Sequence, residues 1–221
     1  MVSNKKNFSV SLFFLFAAVL LVLSGCTKSP EEKIYQILES VVAQEEKFEE
    51  QQKPLAELEK KDHELYEQIM QLGMKEFNKI VELSEEGLKI VEERQAHIEK
   101  ERESIEDSKK QFQDIRPLID KLEDKKAAEL GEKLYKTMTD RYKFHDELYE
   151  HYKKGLQLDK ELYTMFQKED LTYEKLEQQI EKINEAYQKV LEANEKFNEE
   201  TKKYNELKIE FYKAAGINIE E

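Results

Sequence analysis

The sequence predicts an all-α protein, an elongated up-and-down four-helix bundle of long helices, and three observations carry that prediction. Only 6 of the 221 residues are Gly and 3 are Pro, too few turn formers for sandwiches, barrels or doubly wound folds, which need a loop about every ten to fifteen residues. Charged residues make up 38% and hydrophobic residues 39%, as in helices with a narrow apolar stripe and a solvated remainder. The apolar residues recur in steps of three and four, a spacing that a disordered chain need not maintain.

The elements follow in order. Ser29-Pro30-Glu31-Glu32 reads as a helix start, with Ser29 as N-cap, Pro30 at the first helical position and Glu32 closing a capping box. The first seam runs Ile34, Ile37, Val41, Phe48, Leu55, Leu58, Leu65, Ile69, Leu72, with Gln44, Gln51 and Asp62 at its remaining positions. A five-residue step to Phe77 breaks the phase beside Gly73. The second seam continues through Ile80, Val91, Ile98, Ile105, Phe112, Ile115, Ile119 and Leu122. Another five-residue step leads to Ala127, Leu130, Leu134, Phe144, Leu148, Leu158, Leu162 and Met165, with Asp124 available as a cap. The fourth run holds Tyr173, Leu176, Ile180, Ile183, Tyr187, Val190, Phe197, Tyr204, Leu207 and Phe211, and stops at Gly216, where a left-handed C-cap is expected.

These breaks place helices at about 30–72, 76–123, 126–168 and 172–215 within a bundle over 30–216, followed by a tail over 217–221. Each helix would be about 65 Å long at about 1.5 Å per residue. Short connections between equal lengths favour antiparallel neighbours. No Gly or Pro marks 123–126, so one continuous helix there, giving a three-helix spectrin-like rod, is the alternative. Pro54 and Pro117 lie inside seams, where proline bends a helix more often than it ends one.

The N-terminus carries the strongest motif. Lys5 and Lys6 precede an uncharged run whose centre, Leu12 to Leu23, is wholly apolar, the order of a secretory signal and too short for a span that needs about 20 apolar residues. It ends in Leu23-Ser24-Gly25-Cys26, the single Cys of the chain. These four positions resemble a bacterial lipobox. The resemblance implies a signal peptide over 1–25, with Leu23, Ser24 and Gly25 recognised by the signal peptidase. Cys26 would carry an S-diacylglycerol group, its new amino terminus open to a further acyl chain, and residues 26–29 would form a short tether. Two or more chains anchor stably where one is marginal. The chain would then sit on the extracytoplasmic face of the cell membrane, its helices close to the lipid.

Composition also excludes. A net charge of -13 removes the driving force for nucleic acid, whose phosphates are held chiefly by Lys and Arg. It also repels anionic lipid heads and wall polymers within the screening length. One Cys rules out an internal disulfide and a thiolate metal cluster. His63, His97, His145 and His151 lack the i, i+4 pairing of a helical metal site, and His145 and His151, flanked by Asp146, Glu147 and Glu150, read as a solvated helix face. No phosphate loop, nucleophile elbow or activated Cys appears, so catalytic residues, metals and cofactors are all expected to be none.

One enrichment remains. Tyr135, Tyr142, Tyr149 and Tyr163 fall at multiples of seven, Leu156 fills the gap and Tyr152 lies nearby. A helix touching two neighbours needs such a widened apolar face. The sharper reading makes Tyr135, Tyr142 and Tyr149 surface contacts that stack on sugar faces or a partner helix.

With the lipobox at Cys26, the capped start at Ser29-Pro30-Glu31-Glu32 and Lys/Glu-rich heptads running to Ala214-Ala215-Gly216, the chain resembles the YkyA-like cell-wall-binding lipoproteins of low-GC Gram-positive bacteria. That resemblance implies a lipid-anchored helical bundle with a binding or structural role at the cell wall or envelope, and transfers no catalytic residue. The alternatives are a docking partner or accessory subunit of a membrane complex, and a ligand-binding lipoprotein, although no strand pattern supplies the two lobes such receptors normally close on a ligand.

Overall fold

A computed structural model describes residues 28–218. Its α-helices are α1 Pro30–Gln44, α2 Glu46–Gln71, α3 Phe77–Phe112, α4 Arg116–Ile119, α5 Lys125–Phe166 and α6 Tyr173–Ala214, with 3-10 turns at Met74–Glu76 and Gln113–Ile115. They make four arms, α1 with α2, α3 with α4, then α5 and α6, running up and down. The signal, the lipobox residues Leu23, Ser24, Gly25 and Cys26, and residues 219–221 of the tail lie outside the described residues. Among the described residues no helix is long and apolar enough to cross a membrane.

Local chemistry sets the ends. Ser29 Oγ accepts from the Glu32 amide at 3.2 Å while the Ser29 amide donates to Glu32 Oε2 at 3.3 Å, a complete capping box. Asp124 Oδ1 accepts from the Ala127 amide at 2.8 Å and starts α5. The chain turns through residues 120–124, so the continuous helix of the three-helix alternative is absent. Gly216, at φ 69, closes α6, with the Ile217 amide bonded to Tyr212 O at 2.9 Å and the Gly216 amide to Lys213 O at 3.3 Å.

Pro54 does not end its helix, in keeping with the expectation, whereas the second arm changes character at Pro117. α2 runs through Pro54 without interruption, and the first arm breaks at Glu45 instead. The Glu45 amide is shared between Val41 O and Val42 O, and its side chain is pulled inward, as described below. Pro117 is the second residue of α4, which follows directly on the 3-10 turn at Gln113–Ile115, so the second arm changes helix type there.

α2 packs along α3, α3 along α5 and α5 along α6, while α1 covers α3 and α4. Two apolar cores result. One gathers Leu38, Ile105, Phe112, Leu134 and Phe211 near the chain termini, and the other gathers Leu58, Ile69, Ile90, Leu156 and Phe166 at the far end. The first and last arms touch near the termini, where Tyr35 and Tyr212 meet edge to face at 5.0 Å and the Tyr212 hydroxyl donates to Glu39 at 2.8 Å. Further along, past Phe48 and Phe197 at 5.8 Å, α2 and α6 part and leave a groove.

Candidate functional site: a groove with a polar floor

The groove runs from Phe48 to about Tyr66 on α2, some 27 Å at about 1.5 Å per residue. It has two adjoining compartments of about 530 and about 230 Å3, which share Glu59, Tyr152, Val190 and Leu191. α6 supplies an apolar wall of Ile180, Ile183, Val190 and Leu191, and Leu191 is 63% exposed on its rim.

Its floor comes from two seven-residue lines. On α3, Gly87, Arg94, Glu101 and Ser108 are all buried. On α5, Met138, His145, Tyr152, Asp159 and Phe166 are buried likewise. Heptad spacing keeps each line on one helix face, so the polar members come to lie in layers between the arms.

Arg94 centres the larger compartment. Its Nη1 donates to Asp62 Oδ2 at 2.6 Å and to Asp159 Oδ2 at 3.1 Å, its Nε to the Tyr152 hydroxyl at 3.0 Å and its Nη2 to the Tyr187 hydroxyl at 2.7 Å. The tyrosines extend the network, Tyr187 donating to Asp159 at 2.5 Å, Tyr163 to Asp62 at 2.6 Å and Tyr152 to Glu59 at 2.6 Å. Burial opposes the Arg94 charge, but Tyr187, Tyr152, Asp159 and Asp62 outweigh it and hold the guanidinium above its usual range. Burial pushes Asp159 up to about 6 against the pull of Arg94 and the Tyr187 hydrogen bond.

Two glycines make this network fit. A Cβ at Gly155 would sit 2.8 Å from the Tyr187 ring, and one at Gly87 would overlap the Tyr163 ring. The rings that hold Asp159 and Asp62 therefore occupy the space of two absent side chains.

The smaller compartment is lined by Glu101, His145, Phe48 and Phe197 among others. Glu101 is held up at about 7 by burial and by the neighbouring Glu59, against a hydrogen bond from Gln52 at 2.6 Å. His145 is packed between Phe48 and Phe197, with ring centroids at 5.7 and 5.6 Å. Burial, then Arg102 and Arg141, lower it to about 3, so the imidazole is neutral. The solvated face expected for His145 is thus corrected: it is 1% exposed. Next along the bundle, Arg141 clamps Glu45 through two bonds of 2.8 and 2.6 Å, and Ser108 donates to the same carboxylate at 2.6 Å. This clamp draws the Glu45 side chain into the bundle at the helix break.

The tyrosine stripe divides. Tyr142 is 2% exposed and shares a 2.7 Å hydrogen bond with Ser108, so it is a core residue and the surface role expected for it is corrected. Tyr135 is half-buried, stacked on Phe112 at 5.5 Å under Arg116. Tyr149, also half-buried, borders the smaller compartment with Arg102 and Lys153 over its ring. The expectation missed Arg94, Glu101 and Asp159 altogether. Their shared spacing of seven with buried neighbours was the available signal.

Comparison with known proteins agrees with this architecture. A crystal structure at 1.6 Å of a conserved protein of unknown function from Staphylococcus aureus has a similar fold, with a TM-score of 0.64, 19% identity, and coverage of 82% of this chain and 91% of that one. The "Uncharacterized lipoprotein YkyA" of Bacillus subtilis (strain 168) is 35% identical over 165 residues, 74% of each chain. Residues 29–214, from the Ser29 cap to the last turn of α6, match the model of the YkyA family, described as "Putative cell-wall binding lipoprotein". The chain belongs to the YkyA family of lipoproteins.

Proposed function

We propose that the chain is a non-catalytic binding protein of the Gram-positive envelope. It is lipid-anchored at Cys26 on the extracytoplasmic face of the membrane and receives wall material in the groove between α2 and α6. The observation that carries this reading is the groove itself. Closed bundles fill the space between their arms with side chains, whereas α2 and α6 leave compartments of about 530 and about 230 Å3 with an exposed apolar rim. Elongated apolar clefts with a few convergent polar groups are where ligands bind. The ionisable groups on the floor are engaged with one another, Arg94 committing N–H groups to four partners, which favours holding over turnover. The family's description as wall-binding lipoproteins supports the same role.

Co-sedimentation with purified peptidoglycan sacculi tests it. Wild-type protein should pellet with sacculi, and Leu191→Asp, on the rim, should weaken retention at least tenfold while Lys89→Asp, exposed on α3, leaves it unchanged. Equal retention of all three, or none by wild type, overturns the groove reading. Fractionation of cells carrying Cys26→Ala tests the anchor: the substituted protein should leave the membrane fraction.

A further inference from the structure

The smaller compartment holds negative charge that nothing among the described residues balances. Glu101 is 4% exposed and accepts one hydrogen bond, from Gln52. Glu59 lines the same space, held by the Tyr152 hydroxyl. The arginines tucked between the arms are engaged elsewhere, Arg94 with Asp62 and Asp159, Arg102 with Asp146 and Glu106, and Arg141 with Glu45. Glu101 has lost its hydration on burial and is repelled by the exposed Glu59 carboxylate across the same space, which an entering cation would relieve.

A separate observation points to a ligand. His145, 1% exposed, lines the same compartment, and its buried Nδ1 has no partner among the described residues. A neutral imidazole keeps one ring nitrogen free to accept an N–H. The compartment therefore offers two carboxylates and an imidazole nitrogen, against the three donors of an ammonium group. Leu55 and Leu191 flank them as an apolar sleeve and Phe197 adds a ring face.

We infer that this compartment receives the primary ammonium group of a basic peptide side chain, its aliphatic stem lying along Leu55 and Leu191 and its charge between Glu59, Glu101 and His145. A peptide fits better than a free amine because the compartment opens into the larger one, where Ile180 and Ile183 continue the apolar wall for flanking residues. The inference rests on the groove reading above and supplies the ligand class. It also reconciles wall binding with a net charge of -13, since the recognised group is cationic where the bulk of anionic polymer is repelled.

Calorimetric titration of the full chain in detergent, at pH 8, tests it with three probes: an acetylated, amidated Ala-Ala-Lys-Ala-Ala peptide, the same peptide with norleucine for lysine, and pentylamine. The lysine peptide should bind at least tenfold more tightly than either of the others. Glu59→Gln and Glu101→Gln should each weaken it at least tenfold, with near-native circular dichroism. Equal binding of the lysine and norleucine peptides, no binding of the lysine peptide, or unchanged affinity in both variants overturns the ammonium site. Pentylamine binding as tightly as the peptide overturns the peptide assignment. Retention on sacculi lost in Leu191→Asp, with no binding of the lysine peptide, would leave the groove reading standing and remove this inference alone.

Discussion

Replacing Glu101 by Gln should make the protein more stable at neutral pH, an unusual outcome for a buried polar residue. Glu101 has an ordinary value of 4.5 and is raised to about 7 in the fold by burial and by Glu59. A carboxyl whose folded value lies above its unfolded one binds its proton more tightly in the native state, so its contribution is favourable at low pH and is lost as pH rises from about 4.5 to about 7. At about 1.4 kcal/mol per tenfold change in proton affinity, the ionised form costs the fold about 3 kcal/mol above pH 7. Gln keeps the acceptor for Gln52 and removes the charge. Urea unfolding of both proteins from pH 4 to 8 reads the difference: near zero at pH 4, growing through the window, and reaching about 3 kcal/mol in favour of Glu101→Gln at pH 8. A constant difference across this range, or destabilisation by Gln at pH 8, would refute the argument that Glu101 is an uncompensated buried charge. Lost peptide binding in a more stable variant cannot be ascribed to unfolding, so the two measurements reinforce each other.

Other substitutions test the remaining layers. Arg94→Leu leaves the buried Asp159 and the partly buried Asp62 without their cation and should cost about 3–5 kcal/mol by urea unfolding; a loss under about 1 kcal/mol would mean that the network is not desolvated. Gly87→Ala should destabilise by about 1–3 kcal/mol in thermal melts, because displacing the Tyr163 ring outweighs the roughly 1 kcal/mol that Ala gains over Gly in a helix. A raised melting temperature would contradict that packing. Tyr142→Ala should cost about 3–5 kcal/mol, as expected of a residue 2% exposed, and a wild-type unfolding midpoint would return Tyr142 to the surface.

Much of the fold was legible because long helices repeat their signal. Steps of three and four set the arms, five-residue phase breaks marked the turns beside Gly73 and before Asp124, and Ser29, Asp124 and Gly216 carried the capping chemistry that closes helices. The break at Glu45 was not legible, because its cause is an ion pair to Arg141, 96 positions away. Proline at 54, the local signal for a bend, marks no break, and α2 runs through it. The floor of the groove was hidden for a related reason: Arg94 and Glu101 on a Lys/Glu-rich helix read as solvated face, and only their seven-residue register with Gly87 and Ser108 separates them from the exposed charges beside them. Asp62 and Gln51 were placed on the first seam, and both now have inward partners, Arg94 at 2.6 Å and His97 at 2.8 Å. The tyrosine stripe misled at Tyr142 because periodicity gives a side chain's direction along the helix and says nothing of which neighbour covers it.

Site-specific photo-crosslinking in growing cells tests the central claim most directly, that the groove between α2 and α6 is the binding face. A photoreactive residue at position 191, on the rim, should give protein that stays with sacculi through boiling in detergent and is released by a muramidase, while the same residue at position 89, on the outer face of α3, should not. Equal yields at the two positions, or retention from position 89 alone, would contradict it.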